Sequence, residues 1–138
     1  MKVAELMGKE IVAVYSGDTV QKVCNEMGKY GHGIAVILNN IHEKKVMGVL
    51  SNKDVINKVI SKKKSLENTR VSDIMVKKVI SIRSDKLSSE AMILMIKHKI
   101  KRLVVIDNGV VQGILSSNDL LQGMAKYKKQ MLDIAIDF

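Results

Sequence analysis

The chain of 138 residues has room for one compact domain, or for two half-size units sharing a core. Hydrophobic residues make up 46% but aromatics only 3%, with no Trp, so the core must be built from Val, Ile, Leu and Met, and the flat platforms on which single-stranded nucleic acid stacks are scarce. The formal charge of +9, from 23 Lys and Arg against 14 Asp and Glu, favours polyanions or anionic ligands, while the single Cys24 excludes an internal disulfide and a zinc site of its own.

In chain order, residues 1–10 are broken by charge too often for a signal peptide, and no apolar run approaches a membrane span. A soluble protein in a reducing, cytoplasmic setting is expected. A short helical turn, "VAELM" at 3–7, precedes the β-branched run 11–15, which reads as a buried strand. Val20, Val23, Cys24 and Met27 fall at i, i+3, i+4 and i+7, one face of a helix. On that stripe Cys24 reads as core rather than as a reactive thiol. Gly31 and Gly33, around His32, read as a tight turn, with a phosphate cradle as the alternative. Strands are expected at 34–38 and 46–50, then a helix marked by Val55, Ile56, Val59 and Ile60.

The polar, Lys-rich stretch 61–70 reads as a linker. After it come a strand at 79–82, a broadly apolar helix at 87–99 and strands at 103–106 and 110–115. A last helix carries Leu120, Leu121, Met124, Tyr127, Met131 and Leu132. The lysine runs at 62–64 and at Lys126, Lys128 and Lys129 read as solvated faces. His32, His42 and His98 have no metal-ligand spacing, and no Ser-His-Asp arrangement has a supporting context.

The chain is written twice. A shift of 68 positions lays "VAELM" at 3–7 on "VSDIM" at 71–75, and "IAVIL" at 34–38 on "RLVVI" at 102–106. A longer loop in the first copy, against Asp107-Asn-Gly109 in the second, drops the shift to 65. "GVLSNKD" at 48–54 then falls on "GILSSND" at 113–119. The expected organisation is a first domain at 1–60, the linker at 61–70 and a second domain at 71–138 with an extended C-terminal helix. The expected fold class is α/β (α+β): two β-α-β-β-α units packed sheet to sheet with pseudo-twofold symmetry, since each is too small to cover its sheet alone. Clefts near the strand-to-helix junctions would follow.

Each signature admits two readings. Ser51 with Asp54, and Ser116 with Asp119, fit a capping box at a helix start. The same geometry offers free N–H groups, and an Asp able to accept hydrogen bonds from the 2' and 3' hydroxyls of a ribose. Gly48 and Gly113 would then let a ligand approach the backbone closely.

The duplicated unit, the "VSDIM" turn and "EAMILMIKHKIKRLVVIDNGVVQGILSSNDLL" resemble a tandem pair of CBS domains, the regulatory module named for cystathionine beta-synthase. The likeness runs from Val3 to about Lys126. It implies a non-catalytic protein that binds an adenosine-containing ligand (AMP, ADP, ATP or S-adenosylmethionine) as a regulatory ligand rather than an obligatory cofactor. It further implies a homodimer that signals by conformational change to a regulated protein. By the family pattern Asp54, Asp119, Ser51 and Ser116 would face ribose. Met7, Val12 and His32, with Met75, Ile80 and Ile100, would line adenine pockets, partly through backbone atoms. Lys101 and Arg102, with Lys53 as a lesser candidate, would meet phosphate. Two departures stand out: there is no proline, with Val36 and Val104 at the second-strand place, and Gly33 and Ile34 stand where the second copy has Lys101 and Arg102. Unequal phosphate binding by the two halves is therefore expected. The rival reading is a small basic scaffold for nucleic acid, marked by a steep salt dependence.

Overall fold

A computed structural model describes residues 1–137, which form two compact units. The N-unit is Glu10–Val79, and the C-unit combines Met1–Lys9 with the chain from Ile80 onward.

In the N-unit the strands β1 (Val12–Tyr15), β2 (Ile34–Leu38) and β3 (Val46–Ser51) form one sheet in that order, β1 parallel and β3 antiparallel to β2. The crossover from β1 to β2 is the helix α2 (Val20–Tyr30). Thr19 caps it by accepting from the Lys22 N–H at 3.2 Å, and Gly31, at φ 68°, ends it in the left-handed conformation that glycine adopts without strain. Gly31 therefore serves the turn that ends the helix. Val20, Val23 and Met27 of α2 meet Val12, Val14, Ala35, Ile37 and Leu50 of the sheet in one buried cluster. Cys24 packs against that cluster, and burial raises its thiol pKa above the usual value. After β3 the chain winds through α3 (Asn52–Val55) into a π turn at Ile56–Ile60.

The C-unit repeats the order with β4 (Ser81–Ile82), α5 (Ser88–His98), β5 (Arg102–Asp107) and β6 (Val110–Ser116), and ends in the long helix α6 (Ser117–Asp137). Asn108 and Gly109, at φ 50° and 80°, form the two-residue hairpin between β5 and β6. Strand β4 is shorter than the expected run at 79–82, because only Ser81 and Ile82 pair with β5. In the N-unit Ser16 continues the ladder by donating to the Leu38 carbonyl. The equivalent Ser84 turns to the Asp107 side chain, its N–H 2.9 Å from Oδ1 and its hydroxyl donating to Oδ2. Those bonds hold the Asp107 pKa below its usual value.

The compact units cut the chain differently from the sequence repeats. The opening helix of the first repeat, α1 (Val3–Leu6), lies in the C-unit: Val3 is fully buried there and donates to the Lys86 carbonyl at 2.8 Å. Its counterpart α4 (Val71–Ile74) lies in the N-unit, where the Val71 N–H donates to the Asp18 carbonyl at 2.9 Å. The stretch 61–70 is correspondingly part of the N-unit rather than a free tether. Its Thr69 and Leu66 carbonyls accept from the first N–H groups of α2 at 2.9 Å, and Leu66 packs on the core.

Candidate functional site

Both signatures fold into the same corner, a strand ending on a helix. In the N-unit the Ser51 N–H donates to Asp54 Oδ2 at 2.9 Å, while the Asp54 N–H donates to the Ser51 hydroxyl oxygen at 3.1 Å. In the C-unit the corresponding distances, Ser116 to Asp119 Oδ2 and back, are 2.8 and 3.0 Å. The capping boxes are thus real. Each uses only one oxygen of its carboxylate. The next residue ties the corner to the preceding strand: Asn52 donates to the Gly33 carbonyl at 2.9 Å, and Ser117 to the Lys101 carbonyl at 2.8 Å.

Gly48 and Gly113 do not open the backbone to a ligand. A Cβ on Gly113 would stand 2.3 Å from the Gly8 carbonyl oxygen, and one on Gly48 would stand 2.8 Å from that of Val76. The space is filled by the chain that leaves each opening helix. Gly8 and Ile114 exchange two backbone bonds of 2.9 and 3.0 Å, and Val49 and Val76 exchange two of 3.0 and 2.8 Å. These glycines admit a short extra β-bridge at the sheet edge.

The residues assigned to adenine pockets regroup by unit. Met7, Ile80 and Ile100 are half-buried against the C-unit core, whereas Met75 packs on the N-unit core. Val12 is 3% exposed and its side chain is part of that core, so only its backbone remains for a ligand. His32 is half-buried, and its Nε2 lies 2.9 Å from Glu10 Oε1. That pairing spans 22 residues and had no local sequence signal.

The basic candidates separate as well. Arg102 is the register partner of Ser116 across β5 and β6, on the same sheet face, and Ile34 holds the equivalent place opposite Ser51. Lys101 is exposed beside it, contributing its carbonyl to the corner. Lys53 is exposed on the first turn of α3. The sequence reading missed Lys58. Its ammonium lies 3.7 Å from Asp54 Oδ1 and donates to the Ile74 carbonyl at 2.9 Å. An acid and a lysine four apart on a helix are a readable signal. The shift of 65 puts Gly123 at this place in the C-unit, where a Cβ would stand 2.4 Å from Leu6 Cδ2. Asp54 therefore has a built-in counter-ion. Asp119 has none among the described residues, and its Oδ1 is unpartnered there.

Two β-α-β-β-α units, each closed by a Gly-x-Leu-Ser-x-x-Asp corner, define a duplicated α+β module whose distinctive polar groups sit at the strand-to-helix junctions. The chain belongs to the CBS domain family, whose sequence profile matches residues 3–61 and 71–126. Among curated relatives, an uncharacterized protein of Methanopyrus kandleri is 30% identical over 123 residues, covering 88% of this chain and 62% of that protein. An inosine-5'-monophosphate dehydrogenase of Methanocaldococcus jannaschii is 31% identical over 123 residues, or 88% of this chain and 23% of the enzyme. The chain thus spans less than two thirds of either relative. Among solved structures, a putative signal-transduction protein with CBS domains from Burkholderia ambifaria superposes with a TM-score of 0.81 at 27% identity, covering 90% of this chain and 93% of that one. A CBS domain protein of Pyrobaculum aerophilum complexed with AMP gives 0.80 at 23% identity, covering 91% and 99%. No helix among the described residues is long and apolar enough to cross a membrane.

Proposed function

We propose that the chain is a non-catalytic regulatory module that binds an adenosine-containing ligand (AMP, ADP, ATP or S-adenosylmethionine) through its Ser-Asp corners and signals through a change of packing. The observation that carries this reading is the Asp119 corner. One carboxylate oxygen is fixed by the Ser116 N–H, the other has no partner among the described residues and could accept from ribose hydroxyls, and Arg102, opposite Ser116 across the strand pair, supplies a cation for a phosphate. The Pyrobaculum relative with AMP bound supports the ligand class. The Asp54 corner, with Lys58 on its second oxygen and Ile34 in place of Arg102, is the weaker of the two.

The receiver of the signal is a partner protein or a second copy of the chain. Helix α6 supports a homodimer: Leu121, Met124, Tyr127 and Leu132 are each more than half exposed along it. A hexameric CBS-CP12 protein from cyanobacteria, at a TM-score of 0.79, shows that this fold assembles in a relative.

The test is a thermal-shift and calorimetric series with adenosine, AMP, ADP, ATP and S-adenosylmethionine. A ligand of the native state must raise the melting temperature with concentration. Asp119→Asn preserves a carbonyl oxygen to accept from Ser116 and removes the charge. It is expected to weaken binding about tenfold or more, the scale of a charge-assisted bond, with Asp54→Asn costing less. If none of these compounds binds while duplex DNA does, with a steep salt dependence, the basic-scaffold reading replaces this one.

A further inference from the structure

The N-unit carries a second feature that adjoins the Asp54 corner and shares Lys58 and Met75 with it. A hollow of about 410 Å³ lies beside α4 and the helix that follows Asp54, lined by Asn57, Lys58, Lys62, Lys64, Asp73 and Met75 among others. The loop bearing two of these lysines is fixed by its backbone. The helix widens at Ile56 so that the Ser61 N–H reaches back five residues to the Ile56 carbonyl at 2.9 Å, a π geometry that is uncommon and recurs at functional places. Lys64 then donates to the Val59 carbonyl at 3.0 Å and Lys63 to that of Ile60 at 3.1 Å, with Lys63 held at φ 57°. The Ser61 hydroxyl closes the turn on the Asn57 carbonyl at 2.6 Å.

The C-unit shows that the fold does not demand lysine at two of these three places. The shift of 65 replaces Lys58 by Gly123 and Lys62 by Tyr127, while Lys64 falls on Lys129. The hollow beside α1 and α6 is smaller, about 230 Å³, and is lined chiefly by Leu6, Leu120, Met124 and Tyr127. Three lysines and one acid, Asp73, line the N-unit hollow. Lys58 is shared with Asp54 and the Ile74 carbonyl, but Lys62 and Lys64 have no ion-pair partner among the described residues. Concave walls concentrate such a field, and lysine meets phosphate as a compact point charge.

We propose that this hollow is an anion site for phosphoryl groups, able to hold two or more linked phosphates between Lys62 and Lys64, with the Asn57 amide as a further donor. A single carboxylate would leave one of the two free lysines unmatched, whereas an oligophosphate spans both. The phosphates are either free or the tail of a nucleotide. Only the nucleotide alternative rests on the function proposed above.

The test is calorimetric titration of the full chain with sodium tripolyphosphate, ATP and adenosine. Tripolyphosphate is expected to bind at one site, more weakly as salt rises. The pair Lys62→Gln with Lys64→Gln should weaken it about tenfold or more, while the triple Lys126→Gln, Lys128→Gln and Lys129→Gln should change it less than about twofold by screening. Lys62 and Lys64 are exposed, so an unchanged melting temperature without ligand checks that the variant folds. If the pair weakens ATP as well as tripolyphosphate but spares adenosine, the site takes a nucleotide's phosphates. If ATP is unaffected, it takes free oligophosphate. Absence of tripolyphosphate binding, or equal losses in the pair and the triple, overturns the site. Failure of adenosine to bind counts against the regulatory reading alone.

Discussion

Replacing Gly113 by Ala tests the role of the signature glycines. The added Cβ would stand 2.3 Å from the Gly8 carbonyl oxygen and 3.2 Å from Met7 Sδ. The thioether can swing aside; the backbone carbonyl cannot, because it accepts from the Ile114 N–H in the two-bond bridge between Gly8 and Ile114. Relieving the clash means parting the bridge, which forfeits two hydrogen bonds at about 0.5–1.5 kcal/mol each. Residual overpacking adds about 1–3 kcal/mol, so a loss of about 2–6 kcal/mol is expected. That is a large fraction of the stability of a domain this size. Gly48→Ala should cost less, since its nearest neighbours stand at 2.8 and 2.9 Å and one of them is the flexible Met75 Sδ. Gly17→Ala is the control, with nothing within 4 Å of its Cβ. Urea unfolding followed by circular dichroism, with midpoints compared at constant slope, measures all three. A Gly113→Ala protein within about 0.5 kcal/mol of the wild type, with adenosine binding lost, would refute the argument and return the glycine to the ligand.

Two further outcomes follow from the side chains. Asp107→Asn should destabilise the C-unit at neutral pH by removing the charged acceptor of the two Ser84 donors. Because folding lowers the Asp107 pKa, its contribution is present above the unfolded carboxylate value and is lost as pH falls through the lower folded value. Wild-type and variant melting curves should therefore begin to converge as pH falls below about 4 and meet below the folded value, and a gap that stays constant through that descent would refute the assignment. Lys58→Ala should cost only about 0.5–1.5 kcal/mol, since the pair with Asp54 is partly exposed and screened. It should also raise adenosine affinity at the Asp54 corner, read as a change in calorimetric stoichiometry, and unchanged titrations would show that Lys58 does not guard that corner.

Local order was legible in the sequence because it is written in short spacings. The Val20, Val23 and Met27 stripe, the Asn108-Gly109 turn and the Ser-Asp caps each need fewer than ten consecutive residues, and each stands where the pattern placed it. What joins distant segments was not legible. Aligning α1 with α4 shows that they are equivalent but not which sheet each one serves. The deciding bonds, Val3 to Lys86 and Val71 to Asp18, leave no periodic trace. Polar composition likewise hid Leu66 and Thr69 inside 61–70, because two anchoring residues scarcely move an average over ten. The glycines announced a close approach without naming what approaches.

The inequality of the two halves rests on more than the pair at Lys101 and Arg102. Strand register sets Arg102 opposite Ser116, while Ile34 faces Ser51, so the cation belongs to the corner whose carboxylate has no counter-ion among the described residues. On the other side of the repeat, Gly123 lets α6 press against Leu6, and Lys58 at the same place instead reaches both Asp54 and the end of α4. One substitution thus sets two local properties: close helix packing in the C-unit, and a charged, less tightly filled junction in the N-unit. A side chain at position 123 would displace the Leu6 side chain, and a glycine at position 58 would leave Asp54 without its cation and the Ile74 carbonyl without its donor. Duplication preserved the backbone corner in both copies, and the residue four places after each Asp differentiates the chemistry of the two.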